Sequence, residues 1–411
     1  MSKDKRQLIF VWNYLTWGGA QIYFIGIMKI ARADWDITVF LPRGSDPKLL
    51  GFLDREDIQY EFLENHIDMD PAPLIWRKLE RRFSLIRSDV EVFNRLRRFD
   101  LSSSILHIEA APWQSGMLLT ALATRRANIF VTFHNALPDA SVVREILWKI
   151  RIGIVSRLPR FHVFTSNHDT KDRFRGWVGD SFWETIKVTY TTVNPPEIDT
   201  VLDSAPSRAE IRLKFGIGGE RFVVLCLGQF IDRKGRWDFL EAAKKVCTIR
   251  DDVDLIWMTS TPLTGADHDR IKSFDLGDRF KIVEAEKVGE RREDVLSFYK
   301  IADVYALPSL VEGLPIALLE AMAMGLASIS TNVYAIPEAV KHGQTGLLIE
   351  PGRPNMLADA IVRLRDNDEL RAKLAAAGRE FVIANFDERM ASQIAIEAYL
   401  ECFGACDPQV D

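Results

Sequence analysis

The chain has 411 residues, 47% of them hydrophobic and 27% charged, with a formal net charge of -5. Such a composition excludes a disordered chain, and the charge gives no support to a nucleic-acid partner. The length points to two domains of about 200 residues each. Charge is spread unevenly, the first 197 residues leaning basic and the remainder acidic. Four cysteines (Cys226, Cys247, Cys402 and Cys406) fit neither a disulfide framework nor a metal knuckle. They read as reduced, which implies a cytoplasmic protein.

At the N-terminus Lys3, Lys5 and Arg6 precede an uncharged stretch from Gln7 to Met28, and Ala31-Arg32-Ala33 imitates a cleavage site. Asn13, Thr16, Gly18, Gly19 and Gln21 interrupt the stretch, and a bilayer-spanning helix would bury that polarity at high cost. A strand over Leu8–Trp12, a glycine turn and a helix from about Ala20 explain the same residues without a cleaved signal or a membrane span. Further strands are expected at 37–41, 104–108, 129–133, 161–165, 222–227, 255–258, 280–283, 304–307 and 327–330. Helical patterns lie between these apolar runs, which predicts an α/β protein with parallel sheets covered on both faces and ligands at the carboxyl ends of the strands.

Two segments of the first half are basic and amphipathic. Residues 76–98 carry Trp76, Leu79, Phe83, Ile86, Val90, Phe93 and Leu96 among Arg and Lys, and residues 144–160 repeat the theme around Trp148. Each reads as a helix packed on its domain or as one lying on an anionic membrane. Residues 194–207, rich in Pro, Ser and Asp and without periodicity, mark the boundary. Domains are expected over 1–196 and 206–385. A last helix within 386–411, with Met390, Ile394, Ala398 and Leu400 as its apolar residues, is expected to return to the N-terminal domain.

The most informative segment is LPSLVEGLPIALLEAMAMGLASISTNVYAIPE, residues 307–338. Glu320 is the single charged residue between Gly313 and Pro337. A carboxylate on so apolar a helix needs a partner, either a structural ion pair or ligand hydroxyls. Glu312 lies in the loop before the helix, and Pro315 suits a first helical turn. From Pro315 to Glu320 the helix advances roughly 7–8 Å. The two carboxylates therefore bracket a helix N-terminus, which favours phosphate, and the layout suits a sugar, its diphosphate and a ribose.

Glu312 and Glu320, within P-S-x-x-E-G-x-P-x-x-x-x-E-A-M-A-x-G, resemble the donor motif of the retaining family 4 glycosyltransferases, which have the GT-B fold. Residues 345–354, 357–361 and 228–243 resemble the same family. The likeness is dense over 221–402 and thinner over 8–197. It implies two Rossmann-like domains with parallel sheets facing each other across a cleft. It also implies transfer of a hexose-type sugar from a UDP- or GDP-sugar to a glycan or lipid-linked acceptor hydroxyl, with retention.

By this resemblance Glu312 contacts donor-sugar hydroxyls, Glu320 holds the ribose, and the amides of Gly313 and Leu314 face sugar and phosphate. Lys234 matches the phosphate-binding lysine. Gln229 stands where the family usually has an arginine, and Arg233 is its candidate substitute. Gly18 and Gly19 match a phosphate-approaching GGA loop. His134, at the end of its strand, matches a histidine that reaches the donor sugar; Asn135 follows where an aspartate is common. His107 is a weaker candidate for lining the cleft. Asp34/Asp36, Asp68/Asp70 and Asp252/Asp254 are read as coincidental D-x-D triplets, so neither a metal nor a cofactor is expected.

Two loops depart from the family pattern: Thr259–Gly265 replaces a glycine-rich turn, and Tyr334-Ala335 replaces a Gly-Gly pair. The membrane alternative for 76–98 implies peripheral contact with the inner face. The competing readings are a nucleotide-sugar epimerase of the same fold and a degenerate nucleotide-sugar-binding scaffold.

Overall fold

A computed structural model describes residues 5–12, 19–64, 75–109, 122, 126–134, 142–204, 206–289 and 291–404, without the side chains of 19–21, 48, 75–79, 81 and 82. It separates into two compact units, Met1–Thr191 with Glu388–Asp411, and Thr192–Asp387. The first unit contains β1 (Arg6–Val11), β2 (Trp35–Pro42), β3 (Gln59–Leu63), β4 (Ile105–Glu109), β5 (Asn128–Phe133), β6 (Phe161–Thr165) and β7 (Lys187–Val188). They form one sheet in the order β3-β2-β1-β4-β5-β6-β7, with every pairing parallel.

The second unit contains β8 (Phe222–Leu227), β9 (Val253–Thr259), β10 (Phe280–Glu284), β11 (Val304–Leu307), β12 (Ala327–Thr331) and β13 (Leu347–Ile349). Its order is β10-β9-β8-β11-β12-β13, again all parallel. The expected α/β class and all ten expected strands are present. The three additional strands, β3, β7 and β13, are all edges. An edge strand pairs on one side only and does not need the unbroken apolar run of a strand buried on both faces.

Helices α1 (Gly19–Ala31), α2 (Ile75–Leu96) and α3 (Val142–Val155) follow β1, β3 and β5. Alternation along the strands sends Leu8, Phe10 and Trp12 into one core with Phe24, Ile27 and Met28 of α1. Ile9, Val11, Leu106 and Ile108 go into the opposite core with Val92 and Leu96 of α2 and Ile152 and Val155 of α3.

The presumed boundary at 194–207 is largely a helix, α4 (Pro195–Asp203), belonging to the second unit. Asn194 caps it by accepting from the Glu197 amide, Pro195 occupies the first turn, and Ile198 and Val201 are buried. Helices α5 (Arg236–Ile249) and α6 (Ile316–Ala323) follow β8 and β11.

The last helix, α7 (Glu388–Glu401), packs on the first unit beside α1. Its buried face is Ala391, Ala395, Ala398 and Tyr399; of the apolar residues named from the sequence Ala398 lies on it, whereas Met390 and Leu400 are exposed. Small residues let α7 approach closely, so its inner face is only weakly apolar. His107 also corrects its expected place. Its strand runs on to Glu109, and the ring is fully buried, with Nδ1 2.5 Å from the Tyr399 hydroxyl and Nε2 2.6 Å from Thr132 Oγ1. It is a satisfied core residue, and burial holds it neutral. Tyr399→Phe leaves His107 Nδ1 without that partner. We expect denaturant unfolding to show a loss of about 1–3 kcal/mol, whereas an unchanged midpoint would mean the contact adds no stability.

Candidate functional site

In the second sheet the strand order reverses between β8 and β11. Open parallel sheets bind ligands at such a switch point, beyond the carboxyl ends of the strands. The turn after β8 forms a single 3-10 turn, Asp232–Lys234, and Gly235 follows with φ 72°. A Cβ on Gly235 would lie 1.9 Å from the Pro308 carbonyl oxygen. Only glycine lets this turn meet the loop after β11. The approach is sealed by the Leu310 amide, which donates to the Arg233 carbonyl at 2.7 Å.

Lys234 and Glu312 are thereby brought together. The Glu312 side chain is 6% exposed. Its Oε1 accepts from Ser309 Oγ at 2.8 Å and pairs with Lys234 Nζ; its Oε2 lies 3.7 Å from Arg233 Nη1. Gln229 holds the same guanidinium, accepting from Arg233 Nη2 at 3.1 Å. The residue that replaces the family's arginine thus steers Arg233 towards the cluster. A carboxylate this buried is tolerable because it is paired and hydrogen-bonded.

Gly313 and Leu314 bridge this cluster to α6, where Pro315 sits at the N-cap, one position before the first helical residue. Among the described residues the amides of Gly313, Leu314, Ile316 and Ala317 donate to no backbone carbonyl, as the start of a helix requires. Four free donors, the positive helix end and two cations make this a place for phosphate oxygens.

Glu320 is 3% exposed. Its Oε2 accepts from the Tyr299 hydroxyl at 3.0 Å. Its Oε1 is 2.8 Å from Arg292 Nη1, an ion pair set off hydrogen-bond geometry. Arg292 Nε donates to Glu197 Oε2 of α4 at 2.9 Å. Burial opposes the Arg292 charge, but the two carboxylates outweigh it and keep the guanidinium protonated. The structural partner expected for a lone carboxylate is therefore present, and lone pairs of Glu320 remain for further donors.

The departing loops have local explanations. Thr259 Oγ1 accepts from the amides of Phe230 (3.1 Å) and Thr261 (2.9 Å), tying the end of β9 to that of β8. Thr264 and Asp267 cap the next helix reciprocally. Tyr334 adopts φ 47°, a left-handed conformation that the family's glycine takes without strain.

In the first unit Gly19 opens α1, while Gly18, Asn135, Asp68, Asp70 and Cys406 lie outside the described residues. His134 follows β5 with its ring edge-on to Tyr23 (4.7 Å) and Phe24 (5.5 Å). Burial pushes it down to about 3, so it is neutral at physiological pH, and among the described residues its Nε2 has no hydrogen-bond partner. Two residues not anticipated from the sequence share this edge. Phe10 pairs with His107 and Glu109 with Thr132, so Trp12, Glu109 and Thr132 stand side by side on the face that α1 covers. Among the described residues Trp12 Nε1 and Glu109 Oε2 also lack partners, and burial raises the Glu109 carboxyl to about 8. A carboxylate ending an apolar strand was the available signal for Glu109. Arg292, within RREDV, carries none.

Among the described residues no three His, Cys, Asp or Glu side chains are placed to hold a metal. Asp252 pairs with Arg365, and Asp254 with Arg221 at 2.6 Å.

Glu109 generates a pH test. Unfolded, its carboxyl titrates near 4.5; folded, it keeps its proton to about 8. Between these values the folded state binds more protons, so this group's stabilising contribution falls as pH rises. His134 acts oppositely: its contribution falls as pH drops from 6.5 towards 3. Glu109→Gln should gain on the wild type between pH 5 and 8 in urea unfolding, by up to about 4 kcal/mol. Parallel stability curves would contradict the buried, protonated carboxyl.

Residues 207–381 match the family described as Glycosyl transferases group 1. A similar curated protein is the GDP-mannose-dependent alpha-(1-6)-phosphatidylinositol monomannoside mannosyltransferase of Mycobacterium tuberculosis. It is 29% identical over 201 residues, 47% of this chain and 51% of that protein. The chain spans about half the length of the curated relatives it matches. Among solved structures, a glycosyltransferase from Rickettsia africae ESF-5 superimposes with TM-score 0.76 at 19% identity, over 98% of this chain and 100% of that one. Alr3699/HepE of Anabaena, solved with UDP and glucose, gives TM-score 0.76 at 19% identity over 96% and 100%. The chain thus has the GT-B fold, and its residues 207–381 form a domain of the glycosyl transferases group 1 family.

Proposed function

We propose that the protein is a metal-independent retaining glycosyltransferase that moves a hexose-type sugar from a UDP- or GDP-sugar to a hydroxyl of a glycan or lipid-linked acceptor. The observation that carries this reading is the convergence of Lys234 and Arg233 on Glu312 beside the free amides that start α6. The cations and amides would take the diphosphate, Glu312 the sugar hydroxyls and Glu320 the ribose. Similarity to a GDP-mannose-dependent enzyme and to a protein solved with UDP and glucose supports the donor class.

In the proposed reaction the bond from the anomeric carbon to the diphosphate oxygen breaks, and a bond to the acceptor oxygen forms on the same face. The acceptor proton passes to the leaving phosphate. Lys234, Arg233 and the α6 amides stabilise the charge that grows there, commonly the largest catalytic contribution. In the first unit, Gly18 and Gly19 are assigned to close approach of phosphate. His134, neutral and with Nε2 unpartnered among the described residues, is assigned to a sugar hydroxyl. The protein is cytoplasmic in this reading, with peripheral membrane contact through 76–98. Among the described residues no helix is long and apolar enough to cross a membrane.

The test is release of nucleoside diphosphate from UDP- and GDP-sugars, with and without candidate acceptors, in the presence of EDTA. Turnover that survives EDTA supports the reading. Absence of hydrolysis and transfer would remove it, and loss restored by manganese or magnesium would remove metal independence. The two carboxylates should also separate. Glu320→Gln is expected to weaken nucleoside diphosphate binding about tenfold or more in calorimetry, from loss of a charge-assisted hydrogen bond of about 1.5–3 kcal/mol. Glu312→Gln should lower turnover and leave nucleotide affinity near normal. Unchanged nucleotide affinity in a folded Glu320→Gln protein would confine Glu320 to its pairing with Arg292.

A further inference from the structure

Helix α3 is apolar on two opposite sides. Trp148, Ile152 and Val155 face inward, Trp148 packing on Trp177 at 6.0 Å, so this tryptophan belongs to the domain core. On the outside, Val142, Val143, Ile146, Leu147, Ile150 and Ile154 are 45% to 73% exposed. At about 100° per residue they fill one arc of about 140°. Lys149 and Arg151 border this arc on its two sides, and Arg157 follows the helix on the arc's own side. Glu145, the one acidic residue of α3, is paired with Lys149 at 3.0 Å.

Helix α2 packs against the same face of the first sheet, since Val92, Leu96, Ile152 and Val155 share one core. It adds exposed Phe83, Ile86 and Val90 beside Arg87. Nine of the seventeen exposed large apolar side chains among the described residues thus lie on these two helices. Scattered exposed apolar residues are ordinary, but an ordered stripe of six on one helix is not.

We propose that α3 docks in the plane of an anionic lipid surface, its outer stripe among the acyl chains, Lys149, Arg151 and Arg157 at the phosphate level, and the outer residues of α2 extending the contact. The physical requirements are met together: an apolar stripe for the boundary region and cations at its margins for anionic headgroups. Flanking cations also argue against a second copy as the occupant, because stripe-to-stripe pairing would oppose like charges. The proposal extends the contact assigned to 76–98, gives the larger share to α3, and does not depend on the catalytic assignment.

The test uses the full chain with vesicles of phosphatidylcholine alone or mixed with phosphatidylglycerol. The wild type should sediment with the anionic vesicles and be released progressively by salt. Ile146→Glu with Ile150→Glu, both on the exposed arc, should weaken sedimentation about tenfold or more. Lys149→Gln with Arg151→Gln should remove much of the salt dependence. Circular dichroism and a UDP titration of each variant establish folding and separate this question from nucleotide binding. Wild-type protein that stays in the supernatant at low salt overturns the proposal, as does equal sedimentation of the Ile146/Ile150 double variant. A dimer that becomes monomeric in that variant overturns it in favour of a second copy.

Discussion

The contact between Gly235 and the Pro308 carbonyl is the constraint on which the second unit's site depends. Two loops leave neighbouring strands at the point where the sheet order reverses, and they can touch only if one lacks a Cβ. Once they touch, the Arg233 carbonyl receives the Leu310 amide, and Lys234 arrives at Glu312 without a long, freely rotating reach. Charge that would be costly to bury alone is buried as a cluster. The same placement sets this charge cluster next in the chain to the unpaired amides that start α6, so these donors are arranged before any ligand arrives.

Partnership separates structural from available polar groups in both units. His107 has both ring nitrogens engaged and belongs to the core, whereas His134, Trp12 and Glu109 each keep, among the described residues, a buried polar atom without a partner at the carboxyl edge of the first sheet. Unsatisfied buried groups are uncommon enough to call for an explanation, and their grouping on adjacent strands gives one. In the second unit Glu320 is intermediate: it anchors α6 to α4 through Arg292 and Glu197 and still has acceptor capacity.

Much of this was legible in the sequence, and what was not has physical causes. Strands buried on both faces announce themselves as unbroken apolar runs, which is why β5, β8 and β11 could be located. The edges β3, β7 and β13 could not, because an edge needs no such run. Helix α4 was hidden by Pro, Ser and Asp, residues that mark linkers and also helix starts. The inner face of α7 was only partly legible: Ala398 stood out, but Ala391 and Ala395 pack tightly while looking only weakly apolar. At the site, Glu320 stood out as a lone charge in apolar surroundings, and Lys234 and Glu312 through their motifs. Arg292 was invisible, since a cation among other charges has no signature until its carboxylate is seen. The outer stripe of α3 was half visible: the sequence shows an amphipathic helix, but only packing reveals that Trp148 points inward and the isoleucines outward.

Hydrogen exchange of the whole chain, with and without a nucleoside diphosphate, reads whether the start of α6 holds the diphosphate. The arrangement at Gly235 and α6 predicts slowed exchange concentrated at the amides of Gly313, Leu314, Ile316 and Ala317, with a smaller effect across Arg233–Gly235. Saturating nucleotide that leaves these amides unchanged, or protects a different strand end, would mean that the diphosphate does not bind at the start of α6.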